Sequence, residues 1–290
     1  MITRALQPLR AVVVAALVAA ILPAAAMAAS EDGHVTIPRQ KWTFGGIFGQ
    51  FDEAQLQRGF QVYQEVCAAC HGLDRVAFRN LVERGGPQFP EEAVKELART
   101  WPNKIVDGPN DDGKMFEREP RLSDPVQGPY RNEKEARAAQ NGALPPDLSL
   151  IAKARSVEPT SPWYIHPFLM MRDIAVGYQE GGVDYTYALL NGYQEPPPGF
   201  TLAEGMYYNV AFPGHQIAMA PPLSKDRFIT YQDGSGSPEQ NIKDVSAFLA
   251  WAADPSLEAR KSMGWQVVLY LLITTVLLYL MKKRLWSRLH

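Results

Sequence analysis

Apolar positions recur at helical spacing in two stretches that lie far apart in the chain. Leu56, Phe60, Tyr63 and Val66 fall on one face of a helix that Asp52 is placed to cap. Ile242, Val245, Leu249 and Ala252 share a face of a second helix, with Phe248 and Trp251 beside it. Ser237, Pro238 and Gln240 read as its N-cap, first-turn proline and capping-box partner. Asp254-Pro255 stops it. Gly59 sits inside the first helix at a cost of about 1 kcal/mol relative to alanine. Close packing could offset that cost, and the two helices can then cross, Gly59 and Phe60 meeting Phe248 and Trp251.

Two further apolar runs lie near the ends. Arg4 and Arg10 precede the run Ala11 to Leu22, and Ala26-Met27-Ala28 fits a small-x-small cleavage pattern. Residues 1–28 therefore read as an export signal, of bacterial rather than mitochondrial type because Arg and Ser are sparse. A span would need roughly 20 apolar residues. Residues 263–281 do meet that length: Trp265 to Leu280 is uncharged, and Lys282, Lys283, Arg284 and Arg288 follow at once. A basic flank marks the inner side of a membrane. The expected layout is a signal at 1–28, an exported domain at 29–261, an anchor at 263–281 and a cytoplasmic tail at 282–290. Trp265, Tyr270, Tyr279 and Trp286 would mark the interfaces.

Between the ends, 23 prolines and 22 glycines with few strand-like runs point to long loops wrapped over a few helices. The expected fold is mainly α, with one core and a C-terminal transmembrane helix. Of the 29 basic residues, two lie in the signal and four in the tail, which leaves 23 against 31 acidic residues and a net charge of −8 outside. Such a domain attracts cationic partners. Asp107, Asp111 and Asp112 are candidates for a docking patch. No basic stripe with interleaved aromatics suggests nucleic acid.

The chemistry concentrates in Cys67-Ala68-Ala69-Cys70-His71, which holds both cysteines of the chain. C-x-x-C-H is the attachment signature of c-type haem, two thiols adding to the vinyl groups and the histidine reaching the iron. A structural disulfide would constrain little chain. A thioredoxin-like pair would sit in a βαβ unit that the pattern lacks. A zinc site would want a second cysteine pair. Haem c also agrees with export.

The second axial position decides between electron transfer and binding of gases or peroxide. Met115, Met170, Met171, Met206, Met219, His166 and His215 are candidates, with His34 less placed for it. Spacing does not choose among them. Met219 has the best setting, with Ala218 and Ala220 leaving room and Pro221-Pro222 stiffening the chain behind it.

At this point the chain resembles the cytochrome c1 family. The resemblance runs from Gly59-Phe60-Gln61-Val62-Tyr63 and the C-x-x-C-H segment through Asn141-Gly142-Ala143-Leu144-Pro145-Pro146-Asp147-Leu148-Ser149. It continues in Gly192-Tyr193, Tyr207-Tyr208-Asn209, Phe212-Pro213-Gly214 and Ile217-Ala218-Met219-Ala220-Pro221-Pro222-Leu223. Trp251-Ala252-Ala253-Asp254-Pro255 and Lys283-Arg284-Leu285-Trp286 complete it. The resemblance implies one covalent haem c on Cys67 and Cys70, His71 and Met219 as axial ligands, Arg155 and Tyr185 at a propionate and Pro146 packed on the haem. Gln140 stands where many relatives have Asn, which leaves a haem contact from position 140 open. Ser156 to Gln179 resembles an insertion of bacterial members; it carries Trp163, His166 and Met170 and no cysteine.

The implied function is electron transfer within a ubiquinol–cytochrome c reductase, from the Rieske iron–sulfur protein to a cytochrome c. Cytochrome b and membrane lipid would be the other partners, in a bacterial inner membrane with the haem domain in the periplasm. The chain alone would catalyse nothing. The rival readings are an anchored monohaem cytochrome of another respiratory complex and a ligand-binding haem sensor.

Overall fold

The structure is a computed structural model that describes residues 35, 37–155, 162–176 and 181–287. The expected export signal lies outside the described residues.

Helix α1 (Glu53–Val62) starts where Asp52 accepts a hydrogen bond from the Gln55 amide at 2.9 Å. It continues into a wider π turn over Tyr63–Cys67, closed by the Ala68 amide on the Tyr63 carbonyl at 2.8 Å. The extra residue in that turn moves Val66 off the buried face, so Leu56, Phe60 and Tyr63 are buried and Val66 is only half-buried. A strand, β1 (Leu73–Ala77), leaves the C-x-x-C-H segment, and a 3-10 turn (Phe78–Val82) follows. Next come α2 (Glu91–Arg99), the hairpin β2 (Ile105–Asp107) and β3 (Phe116–Arg118), then β4 (Pro125–Val126), which pairs with β1. Short helices α3 (Glu133–Ala139) and α4 (Ile151–Ala154) flank the N-G-A-L-P-P-D-L-S loop.

Two longer helices, α5 (His166–Val176) and α6 (Gly181–Asn191), precede the small ladder β5 (Tyr207–Tyr208) with β6 (Gln216–Ile217). Helix α7 (Pro238–Ala253) begins at Ser237, whose hydroxyl accepts from the Gln240 amide at 3.1 Å. The expected capping-box partner turns elsewhere: the Gln240 side chain donates to Asp244 at 2.7 Å. Helix α8 (Leu257–Trp286) closes the described chain. The mainly helical fold thus agrees with the pattern of the sequence. The strands are short because the polypeptide between helices is held by turns and side chains rather than by ladders.

The core forms where α1 crosses α7. A Cβ on Gly59 would lie 2.2 Å from the Asp244 carbonyl oxygen and 2.7 Å from the Phe248 Cβ, so only glycine lets the backbones approach this closely. Phe60 and Tyr63 pack on Phe248 with ring centroids 5.6 and 5.8 Å apart, and Phe248 packs on Trp251 at 5.5 Å. The crossing also encloses a carboxylate. Asp244 is fully buried and accepts from Gln55, Arg58, Gln240 and Tyr231 at 2.7–3.0 Å. Four donors at one buried acid satisfy what burial would otherwise penalise.

A smaller cluster of Trp42, Phe44, Val183 and Ala247 ties the N-terminal segment to α6 and α7. Buried Asp184 anchors it, accepting from the Trp42 indole at 2.7 Å. The same region holds the foot of α8. Asp254 accepts from Lys153 at 3.0 Å and pairs with Arg260, and Glu258 accepts from the Phe51 amide at 2.8 Å. Lys261 donates to the carbonyls of Phe44 and Gly49 at 2.6 and 3.2 Å. From Met263 to Met281 α8 is exposed and mainly apolar, and Lys282, Lys283 and Arg284 follow in its last turns. It is, among the described residues, the helix long and apolar enough to cross a membrane. Its 30 residues span about 45 Å.

Candidate haem site

The C-x-x-C-H segment is wound tightly. The Cys67 carbonyl accepts from the amides of both Cys70 and His71, at 3.0 and 2.9 Å. Cys67 and Cys70 are unpaired thiols. Burial pushes the Cys67 thiol up to about 12, so at neutral pH it is a protonated thiol.

His71 is placed by a distant segment. The Leu148 amide donates to the Gly72 carbonyl at 2.9 Å, Asp147 accepts from the Asp74 amide at 2.7 Å, and Ser149 accepts from the Arg75 amide at 3.0 Å. These bonds lay the P-P-D-L-S segment alongside residues 72–75. The Pro146 carbonyl then sits 2.8 Å from His71 Nδ1. A carbonyl only accepts, so Nδ1 carries the proton and Nε2 keeps its lone pair. Burial also lowers the His71 pKa, although the Pro146 carbonyl opposes it, and the neutral ring is favoured. A neutral imidazole with a fixed tautomer is the form that ligates a metal.

The Met219 loop is organised by Asn209, which is fully buried. Its side chain donates to the Leu189 carbonyl at 2.8 Å and accepts from the amides of Ala211 and Phe212 at 2.9 and 3.2 Å. Gly192 is needed beside it, because a Cβ there would lie 2.6 Å from Asn209 Oδ1. Gly214 turns the loop at φ 77°, a left-handed conformation that suits glycine. β5 and β6 pair on either side of this turn and deliver Met219, which is half-buried. The Tyr193 hydroxyl donates to the Met219 carbonyl at 3.0 Å.

Arg155, Tyr185 and Tyr193 belong to the same neighbourhood. Burial raises the Tyr185 pKa while the Arg155 charge opposes the rise, and Tyr185 in turn raises Tyr193 beyond what burial does. Gly182 touches the Ala152 and Arg155 carbonyls, which binds α6 to the end of α4 and brings Tyr185 to Arg155.

The other axial candidates named from the sequence lie as follows. Met115 is exposed in the β2–β3 turn, Met170 and Met171 are exposed on α5, and Met206 is exposed ahead of β5. His166 is exposed at the start of α5, and His215 is turned to the Asn209 carbonyl at 3.2 Å. His34 lies outside the described residues.

Three features of the site carry no advance signal or a weak one. Pro146 contributes its backbone carbonyl, which no side-chain pattern reveals. Tyr193 was legible as part of Gly192-Tyr193 and not as a partner of Met219. Gln140, the departure from Asn, places its side-chain nitrogen 3.6 Å from Cys70 Sγ and 2.6 Å from the Tyr130 hydroxyl. In the acidic loop, Arg118 engages Asp107 and Asp124.

The donor set fits a covalently held haem. Two unpaired thiols lie one turn apart, and a neutral histidine follows with its outer nitrogen available. No cluster of three or more His, Cys, Asp or Glu suited to a bare metal ion occurs among the described residues.

Comparisons with known proteins agree over most of the chain. The Cytochrome C1 family model matches residues 42–289. The chain is 47% identical to the cytochrome c1 of Blastochloris viridis, across 91% of this chain and 92% of that protein. It is 42% identical to the mitochondrial cytochrome c1 heme protein of Saccharomyces cerevisiae, across 92% of this chain and 77% of that one. It is 49% identical to the cytochrome b/c1 of Bradyrhizobium diazoefficiens, across 91% of this chain but only 37% of that longer protein. By this agreement of motifs, fold and relatives, the chain belongs to the cytochrome c1 family.

Proposed function

We propose that this chain is the haem-bearing electron-transfer subunit of a ubiquinol–cytochrome c reductase. One haem c would be attached through Cys67 and Cys70, with His71 and Met219 as its axial ligands. The electron donor would be a Rieske iron–sulfur protein and the acceptor a cytochrome c. The longer relative named cytochrome b/c1 supports a cytochrome b as the neighbouring chain. The exposed apolar α8 supports a single-pass membrane protein, with the domain in the periplasm and the basic tail in the cytoplasm of a bacterium.

When bound, the haem supplies the one-electron couple, and the protein supplies ligation, orientation and exclusion of water. His71 offers Nε2, with Nδ1–H held by Pro146 so that the ring does not rotate. The Asn209 loop and Tyr193 hold the backbone of Met219 in place. A thioether that stays put keeps small ligands out and raises the potential. Arg155 would offer a forked cation to a haem propionate, and the Tyr185 hydroxyl would offer a second donor. Pro146 adds an apolar wall.

The observation that carries this reading is the His71–Pro146 hydrogen bond directly behind two unpaired thiols. Met219→Leu tests it. The variant should keep covalent haem in a pyridine haemochrome assay while its midpoint potential falls by roughly 100 mV or more, because the axial ligand is a dominant control on potential. An unchanged redox titration would remove Met219 from the site.

A further inference from the structure

The described part of the insertion, residues 162–176, exposes a run of apolar side chains from Trp163 to Met171. Trp163 is 80% exposed, Phe168 72% and Met171 69%, with Tyr164 and Met170 also open. These residues occupy a 3-10 turn (Trp163–Ile165) and the first turns of α5.

Both ends of the insertion are rooted at the foot of α8. On the near side, Lys153 reaches Asp254 at 3.0 Å, at the junction between α7 and α8. On the far side, Gly182 rests on the Ala152 carbonyl so closely that a Cβ would lie 1.9 Å away. A cavity of about 90 Å³ is lined jointly by Lys153, Val183, Leu257, Arg260 and Lys261. The apolar run of α8 starts at Met263, six residues after Leu257, which is about 9 Å along the axis. Trp163 lies eight residues after Arg155, a reach of at most about 28 Å. The insertion therefore springs from the foot of α8, and the chain from Arg155 to Trp163 is long enough to reach the start of its apolar run. Its exposed residues are of the kind that settle at a bilayer surface: Trp and Tyr with an apolar body and a polar tip, beside Phe and Met.

We propose that Trp163, Tyr164, Phe168 and Met171 seat the insertion in the phospholipid interface beside α8, as a second and shallower membrane contact. The contact fixes the domain against tilting about its single helix. The inference rests on α8 being a membrane span.

The test uses the full chain, assembled and reconstituted in phosphatidylcholine bilayers. Nitroxide labels are placed one at a time by Trp163→Cys and Phe168→Cys, with Val276→Cys in α8 and Asp112→Cys in an exposed loop as references. In the haem-loaded protein Cys67 and Cys70 would be held as thioethers and would not label, and the haem spectrum confirms that each variant is folded. Collisions with oxygen, which concentrates in lipid, are compared with collisions with a water-soluble nickel chelate. The expected result is an oxygen-to-nickel ratio at positions 163 and 168 several-fold above that at 112. A ratio equal to that at 112 places the patch in water and overturns the proposal. Shielding from both reagents means that a protein chain covers it, which also overturns it. A lipid signature at 276 with a water signature at 163 and 168 sinks this inference alone; a water signature at 276 sinks the span with it.

Discussion

The Tyr193 hydroxyl donates to the Met219 carbonyl across 3.0 Å, from the residue that follows the glycine on which Asn209 closes. One phenol thus links the end of α6 to the loop that presents the thioether. Its hydrogen bond acts on the backbone, so it sets where the sulfur can sit without touching it.

Tyr193→Phe removes only that donor. A single hydrogen bond of this kind contributes about 1 kcal/mol. The variant should retain its haem, bind carbon monoxide faster in the reduced state, and lose up to about 40 mV of midpoint potential, the one-electron equivalent of that energy. Carbon monoxide kinetics and potential identical to the parent would show that the Tyr193 bond does not position Met219.

The α1–α7 crossing makes a sharp prediction about two glycines. Gly59→Ala would drive a methyl group into the Asp244 carbonyl and should lower stability by about 1–3 kcal/mol, despite the helix propensity that alanine gains. Gly181→Ala faces open space and should be neutral or slightly stabilising. Thermal melts of the two variants should separate by several degrees; equal melting temperatures would contradict the close crossing.

The foot of α8 belongs to the folded domain. A chain ended after Ser262 keeps the Glu258–Phe51 and Lys261–Phe44 bonds and should be exported as a soluble, red protein. A chain ended after Asp254 loses them along with Leu257 and should be less stable by roughly 2 kcal/mol or more. Denaturant titration of the two products decides. Equal midpoints would mean that the first turns of α8 are only a linker.

Arg118 ties the β2–β3 hairpin to the chain that follows. Its hydrogen bonds hold the carboxylates of Asp107 and Asp124 below the usual range. Below about pH 4 the unfolded chain therefore binds more protons than the folded one, and stability falls with acid. The stabilisation is complete above about pH 5 and is lost as pH falls through the folded values. Arg118→Met should cost stability at pH 6, and the gap from the parent should close toward pH 3. A gap independent of pH would show that the ion pairs contribute nothing.

How much of this was legible depended on where each signal resides. Gly59, Phe248 and Trp251 announced the crossing because helix packing leaves a periodic trace in side chains. The caps Asp52 and Ser237 were equally readable, being local. The π turn was not, since it alters backbone spacing with no residue type of its own, and it displaced Val66 from the face assigned to it. The Pro146 carbonyl was invisible for the same reason: every residue has one, and only the pairing of residues 72–75 with the P-P-D-L-S segment aims it at His71. Asp244 was hidden because its four donors come from three separate stretches of chain. Of the candidate site, the thiols, His71 and Met219 were named from sequence, while the groups that hold them in place emerged from long-range contacts.

The most direct measurement is the mass of the peptide that spans Cys67 to His71, taken from the protein as purified from membranes. The account predicts that this peptide carries one added haem, with neither thiol available to alkylation. A peptide of unmodified mass, alkylated at both cysteines, would contradict it.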